Sequence, residues 1–155
     1  MRPPFITSSS SKPQLNSSAH PETALDVPDS RVDKTSTVLW IDDDGLLLEA
    51  AEGVLQMRGF IPLTAQSAVL GLFLLCICDV DAVVVDYNMP GINGAQLAAQ
   101  IRDSRPELPV FLYSDCAAEV EADYPGLFDK AYVKGGNCFD QLIRDLGATT
   151  RSSIQ

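Results

Sequence analysis

The chain predicts an α/β domain: a five-stranded parallel sheet, doubly wound, with five helices covering its two faces. Three observations predict it. Between residues 37 and 147, short β-type apolar runs alternate with segments of helical period. The run Ala82–Val85 is apolar at every position, as in a strand covered on both faces. Acidic residues follow directly on two of the runs, at Asp42 and Asp86. That is where strands of such a fold end and where ligands bind.

The elements follow in order. T-V-L-W-I, residues 37–41, is a short β-type run containing Trp40, expected to pack in the core. Asp44 is placed to cap a helix over 45–58, with Leu47, Ala51, Val54 and Leu55 on its inner face. Gly59 offers a left-handed stop, with Phe60 supplying the accompanying apolar contact. Residues 60–65 read as a second strand, and Pro62 puts it at an edge. Ser67 is placed to cap a helix over 68–78. Leu70, Leu72, Phe73, Leu74, Leu75 and Ile77 leave that helix almost no polar face. Its outer side therefore calls for a second copy or partner, for cover by the N-terminal tail, or for looser packing.

After the third strand, residues 94–104 form a helix ended before Pro106. Residues 109–113 form a fourth strand, 117–124 a short helix stopped by Pro125-Gly126, and 130–133 a fifth strand. Asn137 is placed to cap a last helix over 138–146, with Phe139, Leu142, Ile143 and Leu146 as its stripe and Gly147 as its end. By this reading the domain spans 37–147 and residues 148–155 are a frayed tail. Residues 1–36 are rich in Ser, Pro and Thr, include the run Ser8–Ser11, and are expected to be disordered.

Charge narrows the function classes. The formal net charge is −10, and residues 37–147 carry 6 basic and 17 acidic groups, or −11. Such a domain is repelled by nucleic-acid phosphates and suits divalent cations and basic protein partners. Cys76, Cys78, Cys116 and Cys138 form no CxxC pair, and the one histidine, His20, lies in the tail. The cysteines read as small apolar residues in a reducing compartment. No signal-peptide h-region is visible, and the longest apolar run, Ala68–Cys78, is about half the ~20 residues a membrane span needs. The expected location is the cytoplasm.

Strand order brings Asp42, Asp43, Asp86, Ser114 and Lys134 to one rim. Crowded carboxylates invite a cation. An all-oxygen donor set with room for water favours Mg²⁺. A carboxylate beside a metal, an ammonium and a hydroxyl forms a receptor for a phosphoryl group and can itself attack phosphorus. The same composition also fits a solvated acidic rim with an incidental lysine.

The residues at this rim resemble the response-regulator receiver family, whose fold is CheY-like and flavodoxin-like. V-L-W-I-D-D-D resembles the first strand and acidic pair, which falls on Asp42 and Asp43. D-A-V-V-V-D-Y-N-M-P-G-I-N-G resembles the acceptor strand and loop, with Asp86 as phosphoacceptor and Asn88 offering its backbone carbonyl to the metal. V-F-L-Y-S places Ser114 at the family's Thr/Ser switch, and A-Y-V-K places Lys134 at its phosphate-contacting lysine. The resemblance implies phosphorelay signalling with Mg²⁺. A sensor histidine kinase or phosphotransfer protein is the implied donor, and a downstream protein the implied target, since only the last helix and a short tail follow Lys134. A homodimer is compatible with the apolar second helix.

Three positions depart from the family's pattern. Gly135 stands where a proline is usual, so the loop after Lys134 is expected to be less constrained. Ala131 occupies the aromatic switch position and Tyr132 follows it, so the ring is expected on the opposite face. Asp115 adds a negative charge next to Ser114. These departures favour a second reading, a receiver-like binding module that works without phosphorylation. A haloacid-dehalogenase-type phosphatase, which also forms an aspartyl phosphate, needs a second aspartate two residues after the nucleophile. Asn88 stands there and has no carboxyl proton to donate.

Overall fold

A computed structural model of the chain describes residues 34–153. The expectations for residues 1–33, including Ser8–Ser11 and His20, and for residues 154–155, lie outside the described residues. The elements are β1 (Thr37–Ile41), α1 (Gly45–Met57), β2 (Ile61–Ala65), α2 (Ala68–Ile77), β3 (Ala82–Val85), α3 (Gly94–Ser104), β4 (Val110–Ser114), α4 (Ala117–Asp123), β5 (Lys130–Val133) and α5 (Cys138–Ser152). All strand pairs are parallel and the order is β2-β1-β3-β4-β5. Pro62 lies on β2, which is an edge strand as predicted.

Strand alternation divides the core into two layers. Leu39, Ile41, Val83, Val85, Val110 and Leu112 pack with α2, α3 and α4. Val38, Trp40, Val84, Phe111, Tyr113 and Tyr132 pack with α1 and α5. Buried on both faces, the central strands have no polar side, which explains their continuous apolar runs. Trp40 is fully buried, and its ring contacts Tyr113 and Phe139 with centroids 5.6 Å away in each case. Among the described residues no helix is long and apolar enough to cross a membrane.

Helix ends largely follow the predicted signals. Asp44 accepts hydrogen bonds from the Leu46 and Leu47 amides, at 3.0 and 3.2 Å, and Ser67 accepts from Leu70 at 3.1 Å. After α1, Gly59 adopts φ +82°. The Phe60 amide donates to the Leu55 carbonyl at 3.0 Å and the Gly59 amide to that of Gln56 at 3.1 Å. This is the paired bonding of a Schellman stop. A capping box between Asn93 and Gln96 starts α3.

Leu47, Ala51, Val54 and Leu55 lie on the inner face of α1 as expected, Leu47 and Val54 half-buried against the core, and Leu48 joins them as a further buried residue. Two expectations about the helices need correction. Asn137 stands at the start of α5 but makes no side-chain cap, because its backbone is already helical rather than extended. Gly147 does not end α5, which runs on to Ser152. The glycine keeps a negative φ, and the stripe continues one turn further through buried Thr150, whose hydroxyl donates to the Leu146 carbonyl at 2.9 Å. A glycine in a helix interior costs only about 1 kcal/mol, which packing of that turn offsets.

Candidate phosphoacceptor site

The chain steps from β1 to β2 on one side and crosses to β3 on the other, so the order of strand addition switches sides between the parallel strands β1 and β3. Both strands end there in carboxylates. Strand pairing fixes the backbone: the Asp86 amide donates to the Ile41 carbonyl at 3.0 Å and the Asp42 amide to that of Ala65 at 3.1 Å. Asp42 is fully buried and Asp86 is 4% exposed, while Asp43 is open to solvent. Carboxylate oxygens of the three lie within 4.8 Å of one another.

The loop after β3 is held tightly under this cluster. Gly94 begins α3 with its amide on the Tyr87 carbonyl at 2.9 Å. A Cβ there would overlap the Asp86 carbonyl oxygen and lie 2.8 Å from the Tyr87 Cα. Only glycine permits that approach, so the first turn of α3 sits directly against the backbone that carries Asp86.

Lys134 reaches the cluster from the end of β5. Its ammonium lies 2.7 Å from Asp42 Oδ2 and 3.4 Å from Asp86 Oδ2. Asp42 Oδ1 accepts from the Asp44 amide at 2.9 Å, so the residue that caps α1 also orients Asp42. Three carboxylates face one ammonium. Two like charges ~4 Å apart repel by about 4 kcal/mol at an effective dielectric near 20. Burial pushes the Asp42 carboxyl above its ordinary value, although Lys134 and the Asp44 amide pull it down. Burial also works against the Lys134 charge, but Asp42 and Asp86 outweigh it and hold the ammonium above its ordinary value. The lysine is therefore charged at neutral pH, and negative charge remains uncompensated around Asp86.

Oxygen-only donors at this spacing suit a hard divalent cation. Among the described residues, Asp42, Asp43 and Asp86 are placed to hold one. The arrangement thus combines a buried carboxylate, an acidic edge suited to a hard cation and an ammonium paired with two of the carboxylates.

Ser114 and Asn88 stand at the rim and meet through a third residue. Ser114, fully buried at the end of β4, has its hydroxyl 3.5 Å from Cys116 Sγ. The exposed Asn88 donates its side-chain amide to the same sulfur at 3.5 Å. All four cysteines are free, but Cys116 belongs to this rim rather than to the core alone. Its place in the loop directly after Ser114 was the available signal. Asp115 is exposed.

The expected reversal on β5 is present. Ala131 pairs with Leu112 and Tyr132 with Tyr113. Ala131 therefore packs with the layer of α2, α3 and α4, and Tyr132 with the layer of α1 and α5. The Tyr132 hydroxyl donates to Asp145 Oδ2 of α5 at 2.5 Å, and Lys130 joins that carboxylate at 3.0 Å. Burial, and then the Asp145 carboxylate, hold the Tyr132 phenol protonated well above the usual tyrosine range.

The sequence profile of the response regulator receiver domain matches residues 38–125, more than half of the chain. The chain is 37% identical over 95 residues to the response regulator protein FleR of Pseudomonas aeruginosa, a match covering 59% of the chain and 20% of that protein. It is 32% identical over 96 residues to the DNA-binding transcriptional regulator NtrC of Escherichia coli, covering 59% and 20%. The chain thus spans about a fifth of the length of these curated relatives. The response regulator TrrA of Thermotoga maritima, solved in complex with Mg²⁺-BeF, superimposes with a TM-score of 0.69 at 26% identity over 74% of this chain and 99% of that one. The chemotaxis protein CheY4 of Vibrio cholerae shares the fold, with a TM-score of 0.68 at 20% identity over 74% and 98%. Fold, strand-end carboxylates and sequence profile agree: the chain belongs to the response regulator receiver family, the CheY-like domain of two-component phosphorelay signalling.

Proposed function

We propose that Asp86 accepts a phosphoryl group from the phosphohistidine of a sensor histidine kinase or a phosphotransfer protein. The observation that carries the proposal is a nearly buried carboxylate with two further carboxylates within 4.8 Å and an ammonium at 3.4 Å. In the transfer, Asp86 attacks phosphorus, the P–N bond to histidine breaks, and a mixed anhydride forms on the carboxylate. Lys134 offsets charge gathering on the moving group. Asp42, Asp43, Asp86 and the Asn88 backbone carbonyl are the proposed Mg²⁺ ligands, and a relative solved with Mg²⁺-BeF supports the choice of metal. When bound, Mg²⁺ neutralises the carboxylates and the phosphoryl oxygens. The Ser114 hydroxyl is the proposed donor to the arriving phosphoryl oxygen.

The receiver unit is assigned to residues 37–147, with α5 extending past it. Output is proposed to pass by contact with a downstream protein in the cytoplasm, and the acidic surface argues against nucleic acid as a direct partner. The homodimer expectation rests on α2, whose outer face exposes Val69, Leu70, Phe73 and Ile77. A concentration-dependent dimer in sedimentation, abolished by Phe73→Asp, would support it, and a monomer at all concentrations would remove it.

Labelling tests the central proposal. With Mg²⁺ and a small-molecule phosphodonor, the wild type gains one acid-labile phosphoryl group by intact mass and Asp86→Asn gains none. Equal labelling of both proteins sinks the assignment. Absence of labelling in the wild type turns the reading toward the phosphorylation-independent binding module.

A further inference from the structure

Lys134 is followed by two glycines, Gly135 and Gly136, with φ of +98° and +57°. The two glycines bring no side chains of their own to this loop, and glycine has more backbone freedom to lose than any other residue. Yet the loop must hold an ammonium within 3.4 Å of Asp86. Two hydrogen bonds donated by main-chain amides tie it to β4, one to a carbonyl and one to a side-chain hydroxyl. The Lys134 amide donates to the Ser114 carbonyl at 3.2 Å. The Gly135 amide donates to the hydroxyl of Tyr113, also at 3.2 Å.

Tyr113 is built to hold that position. It is buried, and its ring is wedged between Trp40 and Phe139, with centroids 5.6 and 5.9 Å away and both contacts close to edge-on. Phe139 lies in the first turn of α5, immediately beyond the glycine loop. The ring is thus held between β1 and the first turn of α5, the helix that follows the segment its hydroxyl grips. Tyr113 and Ser114 are consecutive on β4 and point to opposite faces of the sheet. One residue faces the acceptor rim, and the next fixes the loop that carries the lysine.

We infer that Tyr113 is a positioning residue: its hydroxyl fixes the Gly135 amide and so aims the Lys134 ammonium at the phosphoryl site. The inference rests on the phosphoacceptor reading and adds to it a side chain that touches neither metal nor phosphoryl group. A merely structural role would loosen the whole site, whereas a positioning role acts on the phosphoryl half alone. The carboxylates that hold the cation do not depend on Lys134 for their backbone placement.

The test uses the full chain and Tyr113→Phe, which keeps the ring and removes the grip. Calorimetry measures affinity for Mg²⁺ alone, and for beryllofluoride, a phosphoryl mimic, at saturating Mg²⁺. Hydrogen exchange reads the Gly135 amide. The expected result is a Mg²⁺ affinity within about twofold of wild type, a beryllofluoride affinity about three- to tenfold weaker, as for loss of one neutral hydrogen bond, and faster Gly135 exchange. Unchanged beryllofluoride affinity, a parallel loss of both affinities, or unchanged Gly135 exchange each overturns the inference. A wild type that binds Mg²⁺ but no beryllofluoride overturns the phosphoacceptor reading instead, and the inference with it.

Discussion

At the amino edge of the sheet, acidic side chains are used to close the structure, whereas at the carboxyl edge they are crowded against one another. Asp81 accepts the Thr37 amide at 2.8 Å and so ties the start of β1 to the start of β3. Asp129 accepts the Val110 amide at 2.7 Å and pairs with Arg102, also at 2.7 Å. Arg102 in turn donates to the carbonyls of Leu127 and Leu108. Each carboxylate there has a donor matched to it. At the other edge Asp42 and Asp86 share one lysine, and an Asp43 carboxylate oxygen lies within 4.8 Å of theirs. The same residue type stabilises the fold where it is paired, and where like charges gather without enough compensation it suits the chemistry proposed for Asp86.

Substitutions should separate the two edges. The largest expected effect is on rate: Lys134→Ala should slow labelling of Asp86 on the order of a hundredfold, the cost of losing one preorganised charge, with little loss of thermal stability. A stability loss matching the rate loss would show that Lys134 is structural. Arg102→Ala should do the reverse. It removes charge-assisted hydrogen bonds from the amino edge and should cost about 2 kcal/mol in denaturant unfolding, with the labelling rate unchanged.

A metal titration sharpens the contrast. At ten times its dissociation constant, Mg²⁺ should raise unfolding stability by about 1.4 kcal/mol, and Asp43→Asn should remove that gain. A gain that survives Asp43→Asn would place the cation elsewhere.

The smallest effect concerns the tie between β5 and α5. The Tyr132 hydroxyl and then Lys130 and Gln141 hold the Asp145 carboxyl below its ordinary value of 3.8, despite partial burial. A depressed carboxyl contributes stability above its unfolded value and loses it as pH falls through the folded one. Tyr132→Phe should therefore cost about 1 kcal/mol near neutral pH, and the difference from wild type should shrink below pH 3.8. A difference that persists in acid would assign the effect to packing instead.

Much of this was legible along the chain because its signals are local. Val83, Val84 and Val85 announce a strand buried on both sides, and Gly59 and Ser67 mark helix ends through their own backbone needs. Asp42 and Asp86 stood out because a carboxylate directly after an apolar run must lie at a strand end. What escaped depends on partners distant in sequence. Gly147 resembles a stop until Thr150 is found buried one turn beyond it. The Tyr113–Gly135 bond spans 22 residues, and the Asn88–Cys116 contact spans 28. Neither leaves a periodicity or spacing to read. The reversal of Tyr132 was legible from strand alternation, but its tie to Asp145 needed the packing of α5.

Phosphoryl chemistry is expected to fall on Asp86 and not on its acidic neighbours. Treating the phosphodonor-labelled protein with hydroxylamine and sequencing its peptides by tandem mass spectrometry tests this directly, because hydroxylamine converts an acyl phosphate to a hydroxamate at the labelled residue. The predicted result is a hydroxamate at Asp86 alone, dependent on Mg²⁺. A hydroxamate at Asp42 or Asp43, or none at Asp86 in protein that carries the label, would contradict it.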